Sequence, residues 1–245
     1  MKKAFIVGIN GKMGKMLCSV ANEYGYEVVG GYDIVGCGDT VFNDPKKVNV
    51  DFDVIIDFSR PDPNTLSAIS SLCTTKKVPA VIATTGFCES GVSEIKKLSK
   101  SVPVFFSGNM SLGIAAAKAA AITAQKILGD GFDIEIVEKH HNQKVDSPSG
   151  TAYLLADALA PRDKQVVNRS GKRNKGELGI TSIRGGDVVG EHEIGFYGDS
   201  EIVTISHSAR SRKLFAAGAY KAADLMIKSK PGLYNMDDLV KEMLN

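Results

Sequence analysis

The segment "EKHHNQKVDSPSGTA", from Glu138 to Ala152, holds two adjacent histidines, two lysines, an aspartate and a Ser-Gly-Thr turn within fifteen residues. An imidazole titrates near neutral pH and suits general acid or base work. His140 and His141 are adjacent, so on a strand they project to opposite faces. That geometry argues against one shared metal ion, and no cysteine lies near, so the segment predicts no metal site. Pro148 fixes a turn, and Ser149 is a suitable N-cap for a helix from about Thr151 to Leu159. The N–H groups near Gly150 and Thr151 would then face an anion, with Lys144 and the histidines adding positive charge. This combination predicts a small dicarboxylate as substrate.

A second constellation stands at the start of the chain. "VGINGKMGKM" puts Gly8, Gly11 and Gly14 directly after an apolar run and at the start of a helix. Asn10 occupies the place where the usual fingerprint has its second glycine. Such glycines permit a tight turn and close approach of a pyrophosphate to a helix N-terminus. Asp33 follows about 20 residues later, where an acidic residue bonds the ribose hydroxyls of a dinucleotide. Ile34 comes next, and no basic residue follows until Lys46, whereas a 2′-phosphate calls for a basic partner. Lys12 and Lys15 supply the only nearby positive charge. The cofactor expected is NADH or NADPH, with NADH serving at least as well.

These residues need elements to hold them. "KKAFIVGI", "YEVVGGYD", "DVIIDFS", "VPAVIATTG" and "VPVFFSG" read as strands. "KMGKMLCSVANEYG", "PNTLSAISSLCTTKK" and "SEIKKLSKS" read as the helices between them. Such alternation predicts a doubly wound parallel sheet with helices on both faces. After Asn109 the pattern changes. "SLGIAAAKAAAITAQKILG" reads as a long helix and "FDIEIVEKH" as a half-buried strand. Glycine-separated extended runs then follow from Ile180 to His207. These predict a smaller α+β domain with an antiparallel or mixed sheet. Residues 161–179 read as a long exposed loop, and "KLFAAGAYKAADLMIKSK" as an amphipathic helix that returns to the first domain.

Bulk properties set limits. The chain has 245 residues, 43% hydrophobic and 24% charged, with a formal net charge of +2. That composition is globular, and the small charge gives no reason to expect nucleic acid or membrane as partner. No apolar run approaches the ~20 residues of a membrane span. "MKKAFIVGIN" is broken too early by Gly8 to Lys12 for a signal peptide. Cys18, Cys37, Cys73 and Cys88 form neither a zinc pattern nor a disulfide framework, so a reduced cytoplasm is expected.

With these segments in hand, the chain resembles the 4-hydroxy-tetrahydrodipicolinate reductase (dihydrodipicolinate reductase) family of the diaminopimelate route to lysine. The likeness is carried over nearly the whole length by "GINGKMG", "ATTGF", "SGNMSLG", "EKHHNQKVDSPSGTA", "IRGGDVVGEHEIGF" and "HSARSRKLFAAGA". The resemblance implies an NAD(P)H-dependent reductase. Gly8, Ile9, Asn10, Gly11, Lys12 and Met13 would hold the cofactor phosphates, with Asp33 on the ribose. Ala83, Thr84, Thr85, Ser107, Gly108, Asn109 and Met110 would line the cofactor. His140 is similar to the family's proton donor or acceptor, and Lys144 to its second donor. His141, Gly150 and Thr151 would contact the substrate carboxylate. It also implies a Rossmann-type domain from residues 1–110 plus 213–245, a substrate-binding and oligomerisation domain from 111–212, and a homotetramer. Ala83, Ser147, Asn142, Gln143 and Ile34 depart from the common family pattern. Only Ile34 bears on function, through NADPH preference.

Two alternatives stand beside this reading. Another two-domain NAD(P)-dependent amino-acid dehydrogenase would share the glycine turn but not the whole histidine segment. A non-catalytic nucleotide sensor would have no use for His140 and Lys144 beside a helix N-terminus. Arg184, Glu191 and His192 in "IRGGDVVGEHEIGF" read as strand or interface residues, and exposed strand edges there invite oligomerisation.

Overall fold

A computed structural model describes residues 1–36 and 39–244 of the chain; Cys37 lies outside them. In chain order the first segment gives β1 (Lys2–Val7), α1 (Lys12–Val20), β2 (Tyr26–Tyr32), β3 (Val41–Phe42), β4 (Val54–Asp57), α2 (Pro63–Lys76), β5 (Ala80–Ile82), α3 (Glu89–Leu98) and β6 (Pro103–Phe106). The middle gives α4 (Leu112–Leu128), β7 (Asp133–His140), α5 (Gly150–Leu159), β8 (Gln165–Val167), β9 (Leu178–Arg184), β10 (Gly190–Tyr197) and β11 (Ile202–Ala209). The chain ends with α6 (Lys213–Lys228), β12 (Gly232–Tyr234) and α7 (Met236–Leu244). Two compact units result: Met1–Leu112 with Arg212 onward, and Gly113–Ser211.

The first unit is built on a seven-stranded sheet in the order β12-β6-β5-β4-β1-β2-β3. Every pairing in it is parallel. All four residues of β4 and all three of β5 are buried, as expected of strands covered on both faces. Helix α2 shows how local chemistry sets an element. Asp62 caps it by accepting from the Thr65 N–H at 2.7 Å, Pro63 occupies its first turn, and Lys77 ends it in the left-handed conformation at φ +55°. Its Leu66, Ile69, Leu72 and Cys73 enter the core with Phe5, Ile55 and Ile82. Helix α6 packs against α1 and β4–β6 with a face of small residues, Ala216, Gly218, Ala219, Ala222 and Ala223. A Cβ at Gly218 would overlap the Met110 carbonyl oxygen. Tyr220 fixes this helix by donating to the Leu17 carbonyl at 2.9 Å.

The second unit carries a five-stranded mixed sheet, β11-β10-β7-β9-β8. Strand β10 runs antiparallel to β7 and β11, while β9 runs parallel to β7 and β8. Helices α4 and α5 supply Ile114, Ala121, Ala152, Leu155, Ala156 and Leu159 to a core with Ile136, Ile180, Ile194 and Phe196.

The predicted doubly wound sheet and the smaller mixed-sheet domain are both present. Three short strands and one helix were not anticipated. β3 and β12 have two and three residues, too few for periodicity to register. Helix α7 follows Pro231-Gly232, which read as a stop. Residues 161–179 are not one exposed loop. They contain β8, and Arg169 and Arg173 fold back to pair with Glu135.

Candidate functional site

In the first unit β1 lies between β2 and β4, so the connections leave in opposite directions from its carboxyl end. Open α/β sheets bind ligands at such a switch point. Gly8 leaves β1 at φ +77°, and a Cβ there would come within 2.9 Å of the Phe58 carbonyl oxygen. A Cβ at Gly14 would overlap the backbone oxygens of Gly8 and Ile9. The turn is therefore as tight as glycine allows. Gly11 begins α1 with no side-chain cap, which leaves N–H dipoles for a phosphate. Asp33, one residue past β2, accepts from the Asn10 N–H at 3.1 Å. Gly8, Asn10, Gly11 and Asp33 line one cavity of about 900 Å³, together with Ile34, Ser59, Arg60 and Thr65.

Ile9 lies against β2, where a Cβ on Gly31 would meet its side chain at 2.7 Å. Lys12 and Met13 open α1. Ala83, Thr84 and Thr85 follow β5 and Ser107 to Met110 follow β6, at the same carboxyl edge. None of these seven residues lines that cavity. Thr85 and Gly108 are neighbours, since a Cβ on Gly108 would stand 3.3 Å from the Thr85 methyl. Glycine cradle, uncapped helix and carboxylate together fit a dinucleotide.

Asp57 ends β4 at this edge with no exposure. One oxygen accepts the Ser59 N–H at 3.0 Å, while Oδ2 is buried without a close hydrogen-bond partner among the described residues. Burial pushes its pKa up to about 6, against the Ser59 and Thr84 bonds that lower it. An unfolded Asp titrates near 3.9. Between those values the native chain keeps a proton that the unfolded chain has lost, so stability falls as pH rises. Over that window the loss amounts to about 2–3 kcal/mol. Asp57→Asn removes this dependence. Urea unfolding at pH 4 and pH 7.5 should show the wild type losing that much relative to the variant, and parallel pH slopes would contradict it.

The second unit assembles the histidine segment. Strand alternation and register put Ile134, Ile136, Glu138 and His140 on one face of β7. They stand beside Leu178, Ile180, Ser182 and Arg184 of β9, and Phe196, Ile194, His192 and Gly190 of β10. The face is apolar at one end and turns polar toward the carboxyl end of β7. Glu138 has no exposure and sits at the centre of the polar end. Arg184 grips it with both terminal nitrogens, at 2.7 and 2.8 Å. His140 Nδ1 lies 2.5 Å from Glu138 Oε2, and the Ser149 N–H donates to Oε1 at 3.0 Å. Ser149 caps α5 by accepting from the Ala152 N–H at 3.1 Å, and its hydroxyl lies 3.2 Å from His192 Nε2.

Electrostatics follow from this packing. Burial alone would raise the Glu138 pKa, but hydrogen bonds from Arg184 and His140 bring it down to about 2. Burial lowers the His140 pKa below its ordinary value, while Glu138 opposes the shift. Burial and the neighbouring His140 push His192 down to about 4, so it is neutral at pH 7. The two rings meet edge-on, with centroids 5.2 Å apart.

Lys144 reaches Asp146 Oδ1 at 2.7 Å, and Arg184 donates to the Asp146 carbonyl at 2.7 Å. His141 follows the end of β7, its N–H donating to the Val188 carbonyl at 2.7 Å. Its Nδ1 is buried without a partner among the described residues. Gly150 and Thr151 form the first turn of α5. His140 is thus joined through Glu138 to the cap of the helix that carries Gly150 and Thr151, and Lys144 stands on the loop between.

Arg184 and His192, read from sequence as strand residues, also brace this cluster. Glu191 does not; it pairs with Lys139 at 3.2 Å. Glu138 went unnoticed, although an acid on the buried face of a strand requires partners. Among the described residues no group of three or more His, Cys, Asp or Glu is placed to hold a metal ion. No helix among them is long and apolar enough to cross a membrane.

Comparison with known proteins bears on what this arrangement serves. The family described as dihydrodipicolinate reductase, N-terminus, matches residues 2–110, and that described as dihydrodipicolinate reductase, C-terminus, matches residues 113–240. The 4-hydroxy-tetrahydrodipicolinate reductase of Caldanaerobacter subterraneus subsp. tengcongensis is 45% identical, over 99% of both chains. That of Clostridium tetani is 44% identical, over 97% of this chain and 96% of the relative. The solved dipicolinate-bound dihydrodipicolinate reductase from Paenisporosarcina sp. TG-14 shares the fold. Its TM-score is 0.78 and its identity 24%, over 96% of this chain and 97% of that one. Glycine cradle, mixed-sheet unit and polar histidine cluster therefore sit in a chain that belongs to the dihydrodipicolinate reductase family.

Proposed function

We propose that this chain reduces 4-hydroxy-tetrahydrodipicolinate to tetrahydrodipicolinate. The observation that carries the reading is the Glu138-held His140 joined to the capped first turn of α5, with Lys144 on the intervening loop. An imidazole, an ammonium and N–H groups of a helix N-terminus suit a ring that carries two carboxylates and needs a proton. The glycine cradle and Asp33 would hold NADH or NADPH, which would supply the hydride. Lys144 and the N–H groups of Gly150 and Thr151 hold one carboxylate and draw electron density along the conjugated ring, with His141 beside them. His140 or Lys144 delivers the balancing proton.

The first unit is assigned to the cofactor and the second to the substrate and to assembly. Residues from Gly8 to Met13 hold the phosphates, Asp33 the ribose, and Ala83 to Thr85 and Ser107 to Met110 the remainder. Asp33 followed by the exposed Ile34 favours NADH at least as much as NADPH. A homotetramer is supported by the edge strand β11 and the exposed Ile183, Tyr197 and Ile202. Cytoplasmic residence is supported by the free thiols of Cys18, Cys73 and Cys88.

The test is cofactor oxidation by the purified protein, with NADH and NADPH in parallel. Substrate is made in place from pyruvate and aspartate semialdehyde by the preceding synthase. Oxidation that depends on the synthase product is the expected result. Binding of both cofactors without oxidation would favour the sensor instead. Asp33→Ala should weaken NADH binding more than NADPH binding, by ~10-fold for one lost pair of ribose hydrogen bonds. Equal losses would remove Asp33 from the ribose.

A further inference from the structure

We infer that Glu138, paired with Arg184, is a positioning residue that holds His140 with its proton on Nδ1 and seats the first turn of α5 through the same carboxylate. The inference rests on the proton-transfer role proposed for His140.

Both oxygens of Glu138 are fully engaged. Oε1 accepts from Arg184 Nη2 and the Ser149 N–H, and Oε2 from Arg184 Nη1 and His140 Nδ1. An ionised carboxylate only accepts hydrogen bonds and offers about four sites for them. All four are taken, so Glu138 has no lone pair with which to move a proton for the substrate. The 2.5 Å contact to His140 then requires the hydrogen on Nδ1. Nε2 is left with the lone pair, and a proton arriving there makes an imidazolium that the adjacent carboxylate stabilises.

The other oxygen does a separate task. Through the Ser149 N–H it fixes the residue whose hydroxyl caps α5. One rigid group therefore sets the distance between the proton-transfer ring and the N–H groups of Gly150 and Thr151. Arg184 keeps that group charged, and a second bond to the Asp146 carbonyl ties in the loop that bears Lys144. Gly190 completes the seat, since a Cβ there would lie 3.0 Å from His140 Nε2.

Glu138→Gln reads this arrangement directly. Arg184 and the Ser149 N–H can only donate, so an amide NH2 in the place of Oε2 is accepted by His140 Nδ1. The hydrogen must move to Nε2. The full-length wild type, labelled with 15N at histidine, should show His140 as the Nδ1–H tautomer above its titration. The Gln variant should show the Nε2–H tautomer. Its kcat should fall ~10²-fold or more, as for loss of a poised acid or base. KM for the ring substrate should rise, NADH affinity should stay, and the His140 limb of the pH profile should move to lower pH. Glu138→Asp, which keeps the charge, should restore the limb in part.

A lower kcat with an unmoved limb and tautomer would reduce Glu138 to a structural part and overturn the inference. If Glu138→Gln does not fold, the wild-type spectrum decides, and an Nε2–H tautomer there overturns it. Loss of activity in His140→Asn with a normal Glu138→Gln would sink this inference alone. Full activity in His140→Asn would sink the role of His140 beneath it.

Discussion

His140→Asn should lower kcat by ~10²–10⁴-fold, the usual contribution of a positioned acid or base. Asparagine suits the test because its amide can still donate to Glu138 from near the position of Nδ1. The buried carboxylate keeps its partner, and the fold is not asked to hold an unpaired charge. What disappears is a group that can carry a proton toward the substrate. The pH dependence separates this from lost packing. Burial displaces His140 below the ordinary histidine value even though Glu138 pulls the other way. If imidazolium is the donor, the wild-type rate declines as pH rises through that displaced titration, and the Asn variant shows no such decline. Single-turnover measurement is required, because slow product release would hide the chemical step. NADH affinity should be unchanged, since the glycine cradle and Asp33 belong to the other unit. A wild-type profile without a His140 limb would move the proton to Lys144.

Much of this arrangement is legible in the residues before any coordinates. The apolar runs of β1 and β4, the glycines after β1 and the Pro-Ser-Gly-Thr turn before α5 each have one economical local structure, and each adopts it. What escaped notice depends on register between strands far apart in sequence. Glu138 and Arg184 are 46 residues apart, and nothing local says that β9 lies beside β7. Yet both strands carry a usable signal. "IEIVEKH" puts Glu138 in the apolar set with Ile134 and Ile136, and "LGITSIR" puts Arg184 with Leu178 and Ile180. An acid and a base that each end a buried row need each other, because an unpaired ion on that face would cost several kcal/mol. His192 escaped for the same reason, since alternation identifies its face but not its neighbours. The short β3 and β12 escaped for another. They exist because a neighbouring strand offers an edge, and two or three residues carry no period of their own.

Lys144→Ala is the second large effect, and its size follows from how loosely the ammonium is held. Its partner in the free chain is Asp146, at 2.7 Å, with 57% of the Asp146 side chain exposed. Pairs of that kind contribute roughly 0–1 kcal/mol. The backbone, by contrast, is fixed: the Lys144 N–H closes a turn onto the His141 carbonyl at 3.1 Å, and Arg184 ties down the Asp146 carbonyl. Lys144 can therefore exchange Asp146 for a substrate carboxylate at little cost, without moving its loop. Removing it leaves that carboxylate short of a cation, a loss of about 2–4 kcal/mol by analogy with buried charge pairs. In kcat/KM this is ~30- to 10³-fold. Lys144→Arg then separates the two tasks assigned to the ammonium. A guanidinium keeps the charge but does not release its proton at neutral pH. If Lys144 only holds the carboxylate, arginine should restore both KM and kcat. If it also delivers the proton, KM should recover while kcat stays low, and the proton belongs to Lys144 rather than to His140.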